Sequence, residues 1–316
     1  MASAAAPAAP AGVQKALQRV KAQLDAGAFY EAQQMYKTTY HRYHSRKQLE
    51  EAYAVLREGA AQQLRAGQIT CGAELGAMLV DALAEDRAPA DPPALAALSD
   101  IVRALPPDAP ADDGAGLDAV SRFVAAGLKW AHKQGADAGV RALHDLFAGR
   151  LLAAYGWRQL GRASMHYARG ADADAFAAAL ASCAAAAPPG EQELFVARAV
   201  LQTLACAHPA TLGRQLQHAD ALLAACRRRA WAGGRPLPDG PLLHFAQFLL
   251  TALQQRSAAL ARLLRDKYAA ALGRDASLAA YLERVEELYL NTGGGGGGGG
   301  LLAGLLRGLL EGDEED

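Results

Sequence analysis

Across its 316 residues the chain sets 32 Lys and Arg against 33 Asp and Glu, which leaves no global field to gather nucleic acid or an anionic membrane surface and favours a protein partner. Ala dominates, Leu, Arg and Gln follow, and β-branched residues are scarce, so helix is favoured nearly everywhere outside the Pro and Gly clusters and the fold class is predicted to be all-α. The four cysteines, Cys71, Cys183, Cys206 and Cys226, form no C-x-x-C pair, which argues against a structural metal site and for free buried thiols in a reducing compartment.

Residues 1–12 are an Ala/Pro arm predicted to be disordered. They lack the basic start and apolar core of a secretory signal, and the most apolar stretches, 176–187 and 242–250, fall short of the ~20 residues that span a bilayer, so a cytosolic protein without direct membrane insertion is expected. A first helix carries Val13, Leu17, Val20 and Leu24 on one stripe, and Gly27 turns the chain back. The next helix places Phe29, Ala32, Tyr36, Tyr40 and Tyr43 on one face, an aromatic stripe predicted to be internal. A third helix is expected from Arg46 to Ala66, stopped by Gly67, and a fourth from Thr70 to Glu85. These are helical hairpins of the kind that solenoids stack.

Pro89, Pro92 and Pro93 interrupt the pattern, and residues 103–120 form a longer break predicted to be an exposed loop. Gly114 and Gly116 there lack the third glycine and the preceding strand of a nucleotide-binding turn. Helices resume at 120–132 and 141–180, the latter with a turn near Gly156 and with Leu160, Ala163 and Tyr167 buried, a further hairpin without a strict sequence period. The stretch 190–208 is apolar on several sides and is expected inside. Residues 227–241 hold Gly233, Gly234, Pro236, Pro238 and Pro241 and cannot form a regular helix; a loop that long often serves a partner. Helices over 242–253, 262–272 and 277–290 close the folded region. Eight glycines at 293–300 then read as a flexible tether to paired leucines at 301/302, 305/306 and 309/310 and an acidic end. That leucine stripe has nothing in the sequence to cover it, so it should dock on the body of the chain or on a partner.

Chemistry is sparse. His41 and His44 stand three apart without an H-E-x-x-H frame and are expected to be solvated, whereas His144 and His166 are expected to be hydrogen-bonded structural residues. No G-x-S-x-G elbow, Walker loop or local Cys/His signature is present. RRR at 227–229 is too small a cluster in a neutral chain to indicate RNA. No cofactor or metal is expected.

Residues 13–85, above all the G-x-F-Y-E-A-x-Q core at 27–34, resemble the opening of the Golgi-to-ER traffic protein four family, the helical scaffold of the guided-entry pathway for tail-anchored membrane proteins. Further matches follow in order: LKWA (128–131), LH (143, 144) with GRASMHYARGAD (161–172), ELFVARAVLQTL (193–204), DGPLLHFAQFLL (239–250), YLERVEELY (281–289) and a GGLL-x-x-LL tail. The chain departs from the family at 86–118 and 207–238. The resemblance implies a non-enzymatic adaptor built as a curved α-solenoid of tetratricopeptide-like hairpins. Its N-terminal repeats (13–150) would face a targeting ATPase, and its C-terminal repeats (151–292) would hold the N-terminal segment of a ubiquitin-like protein that recruits a co-chaperone, with a BAG-domain scaffold joining in animals. For the ATPase side the candidates are Tyr30, Glu31, Arg42, Glu74 and Asp81. For the ubiquitin-like side they are Arg235, Leu237, Asp239, Leu243, Phe245 and Phe248, although Phe245 and Phe248 also suit simple packing between repeats. The alternatives are a helical-repeat subunit of another cytosolic complex, such as a proteasome-lid-like assembly, and a helical enzyme with a non-local site.

Overall fold

The computed structural model describes residues 11–109, 114–231 and 234–290, and every named element among them is helical. It divides into two units, residues 1–156 and 157–316. The all-α expectation therefore holds, and each unit is built from antiparallel helical hairpins.

In the first unit, α1 (Ala11–Asp25), α2 (Phe29–Ser45), α3 (Leu49–Arg65) and α4 (Ile69–Glu85) follow one another with a regularity the residues conceal. The last three are each 17 residues long and start 20 residues apart. Each turn places one residue in the left-handed region: Gly27, Lys47, Gly67 and Arg87, at φ of 77°, 60°, 77° and 54°. The following amide reaches back five residues in every case: Ala28 to Gln23, Gln48 to Tyr43, Gln68 to Gln63 and Ala88 to Leu83, at 2.9–3.1 Å. This is the hydrogen bond of a Schellman turn, which satisfies a helix-end carbonyl and reverses the chain. The third helix thus begins at Leu49, not at Arg46, because Lys47 is committed to the turn.

The aromatic stripe is internal at its centre. Ala32, Tyr36 and Tyr40 are buried, while Phe29 and Tyr43 at its ends are half-buried. The Tyr36 ring lies where a side chain on Gly59 of α3 would be, 2.7 Å from an added Cβ, so the two helix backbones approach closely at this point. Beyond α5 (Pro92–Arg103), capped by Asp91 and opened by prolines, α6 (Ala115–Lys133) starts inside the stretch expected to be loop. Gly114 caps it at φ 89°, and Gly116, Leu117, Ala119 and Val120 are buried. The loop reading of 114–120 is therefore corrected. The apolar pattern there was hidden by small residues. α7 (Asp137–Tyr155) completes the unit.

The second unit runs through α8 (Leu160–Arg169), α9 (Ala173–Cys183), α10 (Gln192–Ala205), α11 (Leu212–Arg228), α12 (Pro241–Gln254), α13 (Ala258–Lys267), α14 (Ala269–Leu272) and α15 (Ala276–Tyr289). Ala163 and Tyr167 are buried as expected, but Leu160 is half-buried. Val196, Val200, Leu201 and Leu204 make α10 an interior helix. Side chains of α11 tie back to α8: Gln215 donates to the Ala168 carbonyl and His218 Nε2 meets the Tyr167 carbonyl, both at 3.0 Å. The single helix expected over 262–272 is two, α13 and α14, broken at Tyr268. Arg227 and Arg228 belong to α11, and not to the loop after it. The cysteines are free, and only Cys226 is fully buried. Burial pushes its thiol up to about 12, with Arg229 pulling weakly the other way. The glycine run, the leucine pairs and the acidic end lie outside the described residues.

Candidate partner-binding site

The residues proposed for the first surface fall on two faces of one hairpin stack. Tyr30, 66% exposed, lies on the side of α2 that adjoins α4. Along that side Gln33 Nε2 donates to Glu74 Oε2 at 2.8 Å and Lys37 Nζ pairs with the same oxygen at 3.3 Å. Glu74 is therefore a clamp between α2 and α4 before it is anything else. Glu31 and Arg42 are exposed and eleven residues apart on α2, which puts them within ~20° of each other at 100° per residue but roughly 100° round the helix from Tyr30. The Arg42 guanidinium lies 5.4 Å from the Tyr43 ring centroid. Asp81 is exposed on α4. The structure thus groups Tyr30 with Glu74 and Asp81, and Glu31 with Arg42.

His44 is not simply solvated. Its Nε2 meets Asp86 Oδ2 at 3.0 Å, and the Tyr53 hydroxyl donates to the same oxygen at 2.7 Å, so the carboxylate joins the ends of α2 and α4 to α3. The Tyr40 ring lies beside His44, centroids 5.3 Å apart. Burial by itself raises the Asp86 pKa, but the hydrogen bonds from Tyr53 and His44 outweigh it and hold the carboxyl below its ordinary 3.8. A group held down in the folded chain adds stability that is present above its unfolded pKa and is lost as pH falls through the folded value. Asp86→Asn should therefore lower the melting temperature at neutral pH, and the gap to wild type should close as pH is taken below 3.8. A gap that stays constant down to pH 2 would show that the carboxylate contributes nothing as an anion.

In the second unit the loop between α11 and α12 turns on itself. Ala230 and Pro236 form an isolated antiparallel bridge, the Arg235 carbonyl accepts from the Trp231 amide at 2.7 Å, and Trp231 Nε1 donates to the Cys226 carbonyl at 2.9 Å. This seats Trp231 and Leu237 as buried plugs. Between the loop and the first turns of α12 lies an open groove of about 410 Å³ lined by Arg227, Leu237, Asp239, Leu243, His244, Gln247 and Phe248. Leu237 and Leu243 form its floor, and Phe248 stands 49% exposed at its side. Arg227 crosses from α11, donating to Gln247 Oε1 at 3.1 Å, and His244 Nε2 meets Asp239 Oδ2 at 2.9 Å.

Four of the six residues expected for this surface line the groove. Arg235 is exposed outside its lining, and Phe245 is fully buried against Tyr268, ring centroids 5.8 Å apart, so its role is packing. Arg227, His244 and Gln247 were not anticipated; helical spacing from Leu243 to Gln247 on α12 was the available signal. A further residue sets the groove's position. Glu193 of α10, buried, accepts the Leu242 amide at 2.9 Å at the start of α12 and pairs with Arg274. A carboxylate there meets the positive end of the helix it anchors. Among the described residues no three His, Cys, Asp or Glu converge as a metal site would, and no helix is long and apolar enough to cross a membrane.

A family model described as Golgi to ER traffic protein 4 matches residues 46–310. Protein GET4 of Arabidopsis thaliana is 26% identical over 298 residues, covering 88% of this chain and 90% of that one. The Golgi to ER traffic protein 4 homolog of Bos taurus is 27% identical over 316 residues, covering 96% and 90%. A crystal structure of C. therm. Get4 superposes with a TM-score of 0.68 at 22% identity over 94% of this chain and 95% of that one, a likeness of fold. The family match starts beyond the 27–34 core, so it rests on the later helices and extends into the leucine pairs.

Proposed function

The chain belongs to the Golgi to ER traffic protein 4 family, which acts in the GET pathway for tail-anchored proteins, and from that premise we propose that it is a non-enzymatic cytosolic scaffold bridging a targeting ATPase and a ubiquitin-like protein that brings the co-chaperone. Its contribution is effective concentration: two partners held on one body meet far more often than they would free in solution. In animals a BAG-domain scaffold joins the same assembly. The groove of the second unit supports the reading best, because an apolar floor with a half-exposed aromatic beside it suits a helical segment laid into it. Tyr30, Glu31, Arg42, Glu74 and Asp81 are assigned to the ATPase. Leu237, Asp239, Leu243 and Phe248 are assigned to the ubiquitin-like partner, with Arg235 at the rim. The Asp239–His244 pair has the elements of an acid-base couple, yet both groups are well exposed and, among the described residues, no Ser, Thr or Cys lines the groove beside them.

Binding of the purified partners to two variants tests this. Phe248→Asp, at a half-exposed position that the fold tolerates, should weaken the ubiquitin-like protein roughly 30-fold, about 2 kcal/mol for a central aromatic anchor, and leave the ATPase bound. Glu31→Arg with Arg42→Glu should do the reverse. Unchanged affinity of both partners in folded variants would discard both surfaces.

A further inference from the structure

We propose that Arg227 selects the segment that the groove of the second unit accepts, by pairing with a carboxylate side chain that the segment carries beside its apolar residues. This rests on the reading of that groove as the site of the ubiquitin-like protein and names the chemistry the site reads.

Arg227 crosses from the last turn of α11 to α12, where its terminal nitrogens donate to Gln247 Oε1 at 3.1 Å and to the Leu243 carbonyl at 3.5 Å. Both acceptors are neutral, and they use two of the five N–H groups that a guanidinium carries. In the same unit Arg198, Arg228, Arg265, Arg274 and Arg284 each have a carboxylate as partner. Among the described residues no carboxylate pairs with Arg227. The acid in the groove's lining, Asp239, is engaged by His244 at 2.9 Å. The helix dipole does not account for this placement. Arg227 and Arg228 both stand in the last turn of α11, where a cation is favoured, yet of the two only Arg227 lines the groove.

An uncompensated cation, held in place beside an apolar floor, is the juxtaposition that carries the proposal. Because Gln247 and the Leu243 carbonyl already fix the guanidinium, little further side-chain freedom is lost when a carboxylate arrives, and the planar fork can take both of its oxygens. A segment seated on Leu237 and Leu243 with Phe248 beside it excludes water from part of the pair, which strengthens it over one in open solvent. Gln247 stands one turn beyond Leu243 on α12. In a helical segment the carboxylate therefore belongs about one turn, ~5 Å, from the apolar side chain that seats over Leu243. A segment that brings Lys or Arg to the same place meets like charge, so the groove discriminates by repulsion as well as by attraction.

The test is binding of the purified ubiquitin-like protein to the full chain across a range of salt. Arg227→Met keeps the apolar stem and removes the charge. It should weaken binding ~10-fold at low salt, and the gap to wild type should shrink to ~3-fold or less near ~1 M salt, where charges are screened within ~3 Å. A gap that salt leaves unchanged would mean that Arg227 acts by packing, and overturns the proposal. Arg227→Glu should weaken binding ~100-fold, and one of the partner's acidic residues, each changed in turn to Arg, should restore at least ~10-fold of it. Failure of every such exchange to rescue overturns the proposal as well. Phe248→Asp separates the two readings. If it weakens the partner while the Arg227 variants bind as wild type, the groove remains the site and the selection by Arg227 is wrong. If neither position affects the partner, the reading of the groove fails and the selection by Arg227 fails with it.

Discussion

Glu193→Ala is expected to destabilise the second unit by about 2–3 kcal/mol and to weaken binding at the groove even where the fold persists. Removing one partner of a buried ion pair costs ~3–5 kcal/mol when the other is left dry. Here Arg274 is one-third exposed and recovers part of that in water. The loss includes the hydrogen bond from the Leu242 amide, one of the unsatisfied donors at the start of α12. In a unit of this size the melting temperature should fall by roughly 10 °C. Gly240 makes the argument sharper. A Cβ at 240 would overlap Glu193 Oε2, so Gly240→Ala should itself destabilise by ~1–3 kcal/mol, through overpacking. With Glu193 truncated to Ala the overlap vanishes, so the two substitutions should be non-additive by at least about 1 kcal/mol in a double-mutant cycle. Additive costs would mean that Glu193 does not set where α12 begins. Glu193→Gln, which keeps an acceptor and loses the charge, should fall between wild type and Ala.

Tyr36→Ala should cost the first unit about 3–5 kcal/mol, the range for truncating a fully buried aromatic. Tyr36 has no exposed surface, its ring fills the space left by Gly59, and its hydroxyl donates to Gln62 Oε1 at 2.7 Å. Gln62 in turn donates to Glu58 at 2.7 Å. Burial, and then the negative charge of Glu58, push the phenol pKa well up, so it remains a neutral donor throughout the accessible pH range. Tyr36→Phe removes only that hydrogen bond and should cost about 1 kcal/mol, because half-buried Gln62 still reaches water. Thermal melts of the two variants separate the contributions. A cost for Ala close to that for Phe would place the stabilisation in the polar chain and contradict the packing account.

Much of the architecture was legible because it depends on local chemistry. The stripe from Phe29 to Tyr43 and the turns at Gly27 and Gly67 follow from residue spacing and from the left-handed conformation glycine adopts without cost. The same turn at Lys47 and Arg87 was invisible, since nothing in a long basic side chain announces φ near 60°. The twenty-residue spacing therefore emerged only from the backbone. At 114–120 the signal failed differently: Gly116 and Ala119 are core residues of α6 whose small side chains read as loop. Of the groove, Leu237, Asp239, Leu243 and Phe248 were named from the loop and helix that carry them. The Gly and Pro run of 227–241 hides Arg227, because α11 continues two residues into that stretch, to Arg228.

The sequence by itself determined that the chain is helical, the order in which its hairpins follow, and, through an ordered series of motifs, the family it belongs to. These are matters of propensity, period and local turn chemistry, each expressed within a few residues. Only the tertiary structure decided which charged side chains are already engaged. Glu74 is drawn to Gln33 and Lys37, His44 to Asp86, and Glu193 to Leu242 and Arg274, across sequence separations of 37 to 81 residues. A carboxylate in the sequence is the same letter whether it clamps two helices or meets a partner. What distinguishes the two is which helix ends the folded core brings within hydrogen-bonding distance.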